Sequence, residues 1–170
     1  MTTDMPANPT QGSSASGGHR FNLLLSYAGW DADPWVARLP RLLDPMGVRS
    51  IVAGSGRQAT DVIRQEPVHV AVVDLGLPFE EAETAAPEGG VRLLDLLQRL
   101  DQPPPTVVIK RKRSARDDRR EIAAALKAGA FAVLDRPREP TDVELVLQVL
   151  HRIFQRHYAD RWPGSGLGPN

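Results

Sequence analysis

Asp74 closes the run Val68-His69-Val70-Ala71-Val72-Val73-Asp74-Leu75-Gly76-Leu77-Pro78, and of all the residues in the chain it is the best placed to do chemistry. A carboxylate ending an unbroken apolar segment is costly to bury unless something pairs with it. The segment is short, rich in Val and closed by Gly and Pro, which suits a strand covered on both faces better than a helix. A parallel sheet would hold Asp74 at its carboxyl edge, where open α/β sheets take their ligands. The plain alternative is a helix N-cap, but the next helical pattern starts well beyond Pro78.

The elements that must position this residue alternate along the chain. Phe21-Asn22-Leu23-Leu24-Leu25-Ser26-Tyr27 reads as a first buried strand. Asp33 and Pro34 then look like the N-cap and first position of a helix carrying Trp35, Val36, Leu39, Leu42 and Leu43, which Pro40 should kink or divide. Val48 to Ala53 gives a second strand, and Gln58 to Gln65 a second helix. Beyond the Asp74 strand, residues Phe79 to Gly90 form an acidic loop with Glu80, Glu81, Glu83 and Glu88. A Leu-rich helix follows from about Val91 to Leu100, then a strand Thr106-Val107-Val108-Ile109 after three prolines. Ile122, Ala125 and Leu126 mark a helix ending at Ala128-Gly129, and Phe131-Ala132-Val133-Leu134 is a fifth strand. The last helix is expected from Thr141, with Glu144 completing a capping box, to about Tyr158. Right-handed crossovers turn this order into a parallel sheet with helices on both faces.

Composition narrows the classes of function. The chain of 170 residues holds 21 Lys plus Arg against 21 Asp plus Glu, so its overall charge favours neither nucleic acid nor a membrane surface. The absence of cysteine removes disulfides and thiolate metal sites. His19, His69, His151 and His157 lack metal-ligand spacing and read as ordinary surface or strand residues. No segment has the apolar length of a membrane span or the order of a signal peptide, so a soluble, cytoplasmic protein is expected. Residues 1–19 are Thr, Ser, Gly and Pro rich and are expected to be disordered. The tail 160–170 is expected to be flexible and is too short for an output domain, which leaves one domain over 20–159.

The pattern from Phe21 to Tyr158 resembles the receiver domain of bacterial two-component response regulators. The motifs that carry the likeness are Val72 to Pro78 around Asp74, Ala125-Leu126-Lys127-Ala128-Gly129-Ala130, and Arg136-Pro137. The resemblance implies a flavodoxin-like (βα)5 fold with strand order 2-1-3-4-5. It also implies a cytoplasmic, non-enzymatic signalling protein that works with a histidine kinase or phosphotransfer protein. By that likeness Asp74 is the acceptor of a phosphoryl group, Arg136 the cation on the phosphoryl oxygens, and Mg²⁺ the metal, held by Asp74 and Asp31. It further implies a cis bond between Arg136 and Pro137.

The chain departs from that pattern at three places. Ser26-Tyr27 stands where the family carries an acidic pair, and Asp31 and Asp33 come only some residues later. Arg136 replaces a lysine, and a planar guanidinium is not a point charge. The switch hydroxyl of the family falls at Lys110 or Arg111, and neither has one. A buried Asp74 between these cations is expected to have a lowered pKa, locking the site in one state. The receiver fold would then be kept for binding, with signalling by phosphorylation weakened or lost.

Other readings stand beside this one. The basic stretch Lys110 to Arg120 is either a docking surface for an acidic protein partner or a solvated loop capped by its own Asp117 and Asp118. Its charges are also expected to attract the acidic loop on the neighbouring strand. No aromatic platform interleaves these cations, which weighs against nucleic acid. Gly54-Ser55-Gly56 lacks the spacing of a nucleotide fingerprint and reads as a turn into a helix. A flavodoxin-like enzyme or cofactor-binding protein is the rival from another class, disfavoured because no Ser/Thr-rich loop follows the first strand. Homodimerisation through the last helices stays open.

Overall fold

The computed structural model describes residues 21–28, 34–80 and 89–159. Strands β1 (Phe21–Ser26), β2 (Val48–Ala53), β3 (Val70–Asp74), β4 (Thr106–Lys110) and β5 (Ala132–Asp135) form one parallel sheet in the order β2-β1-β3-β4-β5. Helices α1 (Pro34–Leu43), α2 (Gly56–Gln65), α3 (Gly89–Gln98), α4 (Ala115–Lys127) and α5 (Pro140–Tyr158) alternate with them. This is the (βα)5 arrangement with strand order 2-1-3-4-5 expected above. No helix among the described residues is long and apolar enough to cross a membrane.

Strand alternation decides which residues meet which helices. Leu23, Leu25 and Tyr27, with Val70, Val72, Val107 and Ile109, pack against Val36, Leu39 and Leu43 of α1 and Val146, Leu150 and Phe154 of α5. The intervening residues Leu24, Ala71 and Val73 meet Ala59 of α2 and Leu93 and Leu97 of α3. Val108 on the same side meets Leu94 and Ala125. Every residue of β3 and β4 is buried, which is why both read as continuous apolar runs rather than alternating ones.

Local chemistry sets the helix ends. Ser55 caps α2, its Oγ accepting from Gln58 N at 3.2 Å, so Gly54-Ser55-Gly56 is a turn into a helix that begins two residues before the expected Gln58. Ser114 does the same for α4, accepting from Asp117 N at 3.3 Å. Helix α5 begins at Pro140 rather than Thr141, and Asp142, not Glu144, supplies its capping carboxylate. Asp142 Oδ2 accepts from Arg138 N at 2.9 Å and Glu139 N at 3.0 Å, and these bonds hold its pKa below the ordinary value. A proline is preorganised for the first helical position, which explains the earlier start.

Pro40 does not divide α1. The helix runs on to Leu43 and tightens into a 3₁₀ turn over Asp44–Met46. Pro40 removes one backbone donor, while the burial of Trp35, Val36, Leu39 and Leu43 holds the remaining turns in place. His69 has a purely structural place beside β1: its Nδ1 accepts from Asn22 N at 2.9 Å, and its carbonyl accepts from Tyr158 Oη at 2.7 Å.

Candidate functional site

Asp74 is the last residue of β3 and is 1% exposed. The turn after it folds back at once: Gly76 N donates to Asp74 Oδ1 at 2.8 Å, and Leu77 N donates to Asp74 O at 3.0 Å. The second carboxylate oxygen, Oδ2, has no hydrogen-bond partner among the described residues. Its nearest cation is Arg136, whose Nη2 lies 3.8 Å away.

Arg136 comes from the segment after β5 and is held by the end of β1. Its Nη2 donates to Ala28 O at 2.7 Å, its Nε donates to Tyr27 Oη, and its Cζ lies 4.3 Å from the centre of the Tyr27 ring. Tyr27 is fully buried and meets Trp35 edge to face at 4.8 Å. A guanidinium needs this fixed set of acceptors and an aromatic face, which an ammonium does not. The peptide bond before Pro137 is trans, against the cis bond implied by the resemblance. The trans form is the intrinsically favoured one, and no contact here demands the other.

The cations of β4 are divided between two places. Lys110 shares the face of Val108, which packs towards α4, whereas Asp74 shares the face of Val72, which packs towards α1 and α5. Lys110 is 3% exposed, and its Nζ donates to Asp135 Oδ1 at 2.6 Å and Asp118 Oδ1 at 2.9 Å. Lys110 therefore does not join Asp74, and the expected arrangement of that carboxylate between two flanking cations is corrected. Arg111 is the one that leans over the turn: its Nε lies 3.9 Å from where a Cβ on Gly76 would sit.

The expected lowering of the Asp74 pKa is also corrected. Burial pushes it above the ordinary value, outweighing the Gly76 amide, Arg136, the Ala28 amide and Arg111, which all favour the charged form. The Arg136 guanidinium is already engaged by Tyr27 and Ala28, and at 3.8 Å it does not replace the lost water. Burial also outweighs any single attraction at Lys110, but two carboxylates together raise its pKa. Hydrogen bonding from Lys110 lowers that of Asp118.

A pH dependence follows. A raised carboxyl pKa means that Asp74 supports the fold most fully below its ordinary value of 3.8, and that this support is lost as pH rises through the folded value. Asp74→Asn removes that loss. At pH 7 the variant is expected to be more stable than the parent by about 1 kcal/mol, with the gain vanishing in acid. Urea unfolding at several pH values checks this, and a variant less stable at pH 7 would contradict it.

The donors among the described residues do not by themselves make a divalent-cation site. No group of three or more His, Cys, Asp or Glu side chains suited to a metal occurs among the described residues. Beside the Asp74 Oδ2 stands a guanidinium, where Mg²⁺ would need further oxygen ligands. Asp31 and Asp33, the other expected carboxylates, lie outside the described residues, as do Trp30 and the tails. The acidic loop is described only at its ends. There Glu80 pairs with Arg57 of α2 at 3.3 Å rather than with the basic stretch.

Sequence reasoning missed Tyr27, Asp118 and Asp135 as partners of the two cations. It registered Tyr27 only as the occupant of an acidic position and Asp118 only as a loop cap. The available signal was an aromatic residue at one strand end matched to an arginine at another.

A doubly wound parallel sheet with a buried aspartate, Asp74, at its carboxyl edge defines the class of domain. Within that class, the fold is that of response-regulator receiver domains. No family model and no curated protein matches the sequence. Among solved structures, the chain resembles the receiver domain of Francisella response regulator 1452, at 19% identity and a TM-score of 0.58, over 79% of this chain and 97% of that one. A two-component response regulator from Clostridium difficile gives 15% identity and a TM-score of 0.61, over 81% and 98% respectively. A sensor protein from Polaromonas sp. JS666 gives 25% identity and a TM-score of 0.57, over 81% and 98%.

Proposed function

We propose that this chain is a receiver-like signalling domain that acts through protein contacts and has left the Mg²⁺-dependent phosphorylation cycle. The observation that carries the reading is Arg136, drawn onto Tyr27 and Ala28 beside Asp74, with Ser26-Tyr27 standing where the family carries an acidic pair. A phosphoryl group arriving at Asp74 would find one guanidinium already committed and, among the described residues, no second carboxylate to bring a metal. Of the two residues that could stand at the position of the switch hydroxyl, Lys110 is tied to α4 and β5 and Arg111 leans over the turn after Asp74.

The contact surface best supported is the basic stretch. Arg111, Lys112, Arg113, Arg116, Arg119 and Arg120 are all exposed, while Asp118 is tied to Lys110 and Asp117 to Ser114. The pairing of Lys110 with Asp118 leaves these six cations facing solvent against Asp117 alone, and the segment suits an acidic protein partner. Binding there should weaken as salt rises.

One observation favours a second reading, in which Asp74 still accepts a phosphoryl group from a histidine kinase or phosphotransfer protein: its Oδ2 has no hydrogen-bond partner among the described residues. Treatment with acetyl phosphate and Mg²⁺, followed by intact mass and a comparison with Asp74→Asn, separates the two. The proposed function predicts under a tenth of the chains labelled. Stoichiometric labelling that disappears in the variant would establish the second reading.

A further inference from the structure

An apolar groove of about 550 Å³ runs between α1 and α5, lined by Leu42, Met46, Leu147, His151, Phe154 and Gln155. Phe154 is fully buried and Met46 and Leu147 are half-buried, whereas Leu42 keeps 38% of its surface exposed. Apolar side chains gathered in a concave surface, rather than scattered singly, mark a place that something covers. Helix α5 stops at Tyr158, close beyond Gln155, and Trp162 follows four residues later. Trp162 and Leu167 are the only large apolar residues of 160–170. Four residues of chain span up to about 13 Å. The helix rises about 10.5 Å from His151 to Tyr158, so an indole at position 162 can reach back over the α5 lining. Pro163 favours that course, because the residue before a proline avoids the helical region and α5 is thereby discouraged from running on through Trp162.

We propose that the Trp162 side chain packs into this groove and clamps the end of α5 to α1. A tryptophan buries about 150–250 Å² and wants an acceptor for its N–H when covered. The amides of Gln148 and Gln155 line the groove and can supply one. A tether of four residues keeps the ring at high effective concentration, whereas a separate partner or a second copy must first give up its freedom of motion. The other end of the chain also enters near by, since Phe21 N donates to Gly47 O at 3.3 Å, next to Met46. Residues 1–19 hold no Phe, Tyr or Trp, however, and offer nothing comparable to bury. The inference goes beyond the proposed function and stands apart from it, since it requires no chemistry at Asp74. A partner that uses this face would have to displace the ring.

The test uses the full chain with isotope-labelled methyl groups. Nuclear Overhauser contacts are expected from the Trp162 indole, assigned with Trp162→Phe, to the methyl groups of Leu42, Met46 and Leu147. Trp162→Ala is expected to lower the melting temperature by roughly 5 °C, and by a smaller amount in the Leu42→Ala background. Absence of these contacts, an unchanged melting temperature in Trp162→Ala, or an equal loss in both backgrounds would overturn the proposal. Contacts from residues 1–19 to the same methyl groups would do so as well, because another segment would then fill the groove. In a mixture of labelled and unlabelled chains, contacts that cross between copies would place a second copy there and overturn it too. Methyl shifts that change on dilution would have the same meaning.

Discussion

Replacing Gly90 with Ala is expected to destabilise the domain by about 3 kcal/mol, lowering its melting temperature by roughly 10–15 °C. Gly90 sits in the first turn of α3, where the helix backbone presses on the turn that follows Asp74. A Cβ there would overlap the Asp74 carbonyl oxygen and come within 2.7 Å of Leu75 Cα. Both are backbone atoms, so no flexible side chain can give way. Helix propensity alone argues the other way, since Ala gains about 1 kcal/mol over Gly inside a helix. The sign of the measured change therefore decides which effect wins. Gly56→Ala is the control: its Cβ would press only on the Phe79 ring, at 3.2 Å, with Gly89 Cα and O at an ordinary 3.5 Å, and a side chain can shift. Thermal unfolding of the two variants checks the prediction, and a Gly90→Ala protein as stable as the parent would show that α3 does not rest on this turn.

Lys110→Met is expected to cost about 2 kcal/mol. Breaking a fully buried ion pair costs about 3–5 kcal/mol and an exposed one about 0–1. This cluster lies between those limits, because Lys110 is 3% exposed while Asp118 and Asp135 keep 19% and 53% of their side-chain surface. The pH profile identifies the cause. The lowered Asp118 pKa means its contribution is present above the ordinary 3.8 and is lost as pH falls through the folded value. The raised Lys110 pKa means its contribution is present below the ordinary 10.5 and is lost as pH rises through the folded value. The gap between parent and variant should thus be flat through neutral pH and shrink at both extremes. Denaturant unfolding across pH tests this, and a gap that grew in acid would sink the assignment.

The sheet and its order were legible because the strands that matter are buried on both sides. Val70 to Asp74 and Thr106 to Lys110 carry no alternation to misread, and Gly, Pro and Ser mark the boundaries. Asp74 was legible for the same reason, as the carboxylate at the end of such a run. What surrounds it was not. Whether Lys110 or Arg111 turns towards Asp74 depends on the face on which each strand residue lies, and both residues carry the same charge. The direction of the Asp74 pKa depends on how far Arg136 stands from Oδ2 and on what else holds it, neither of which a sequence states. Glu144 and Asp142 are both acids near a helix start, and only the placement of Pro140 separates them.

The division of positive charge between the two sides of the sheet has a consequence for how such a domain can carry information. Arg136 belongs to the compartment of α1 and α5, and Lys110 to that of α4. The main-chain link between them is the bond from Arg136 N to Lys110 O, at 2.7 Å. The sheet thus separates the two cations: no ion pair among the described residues joins the aspartate's side to the α4 surface, and any coupling between them would run through backbone.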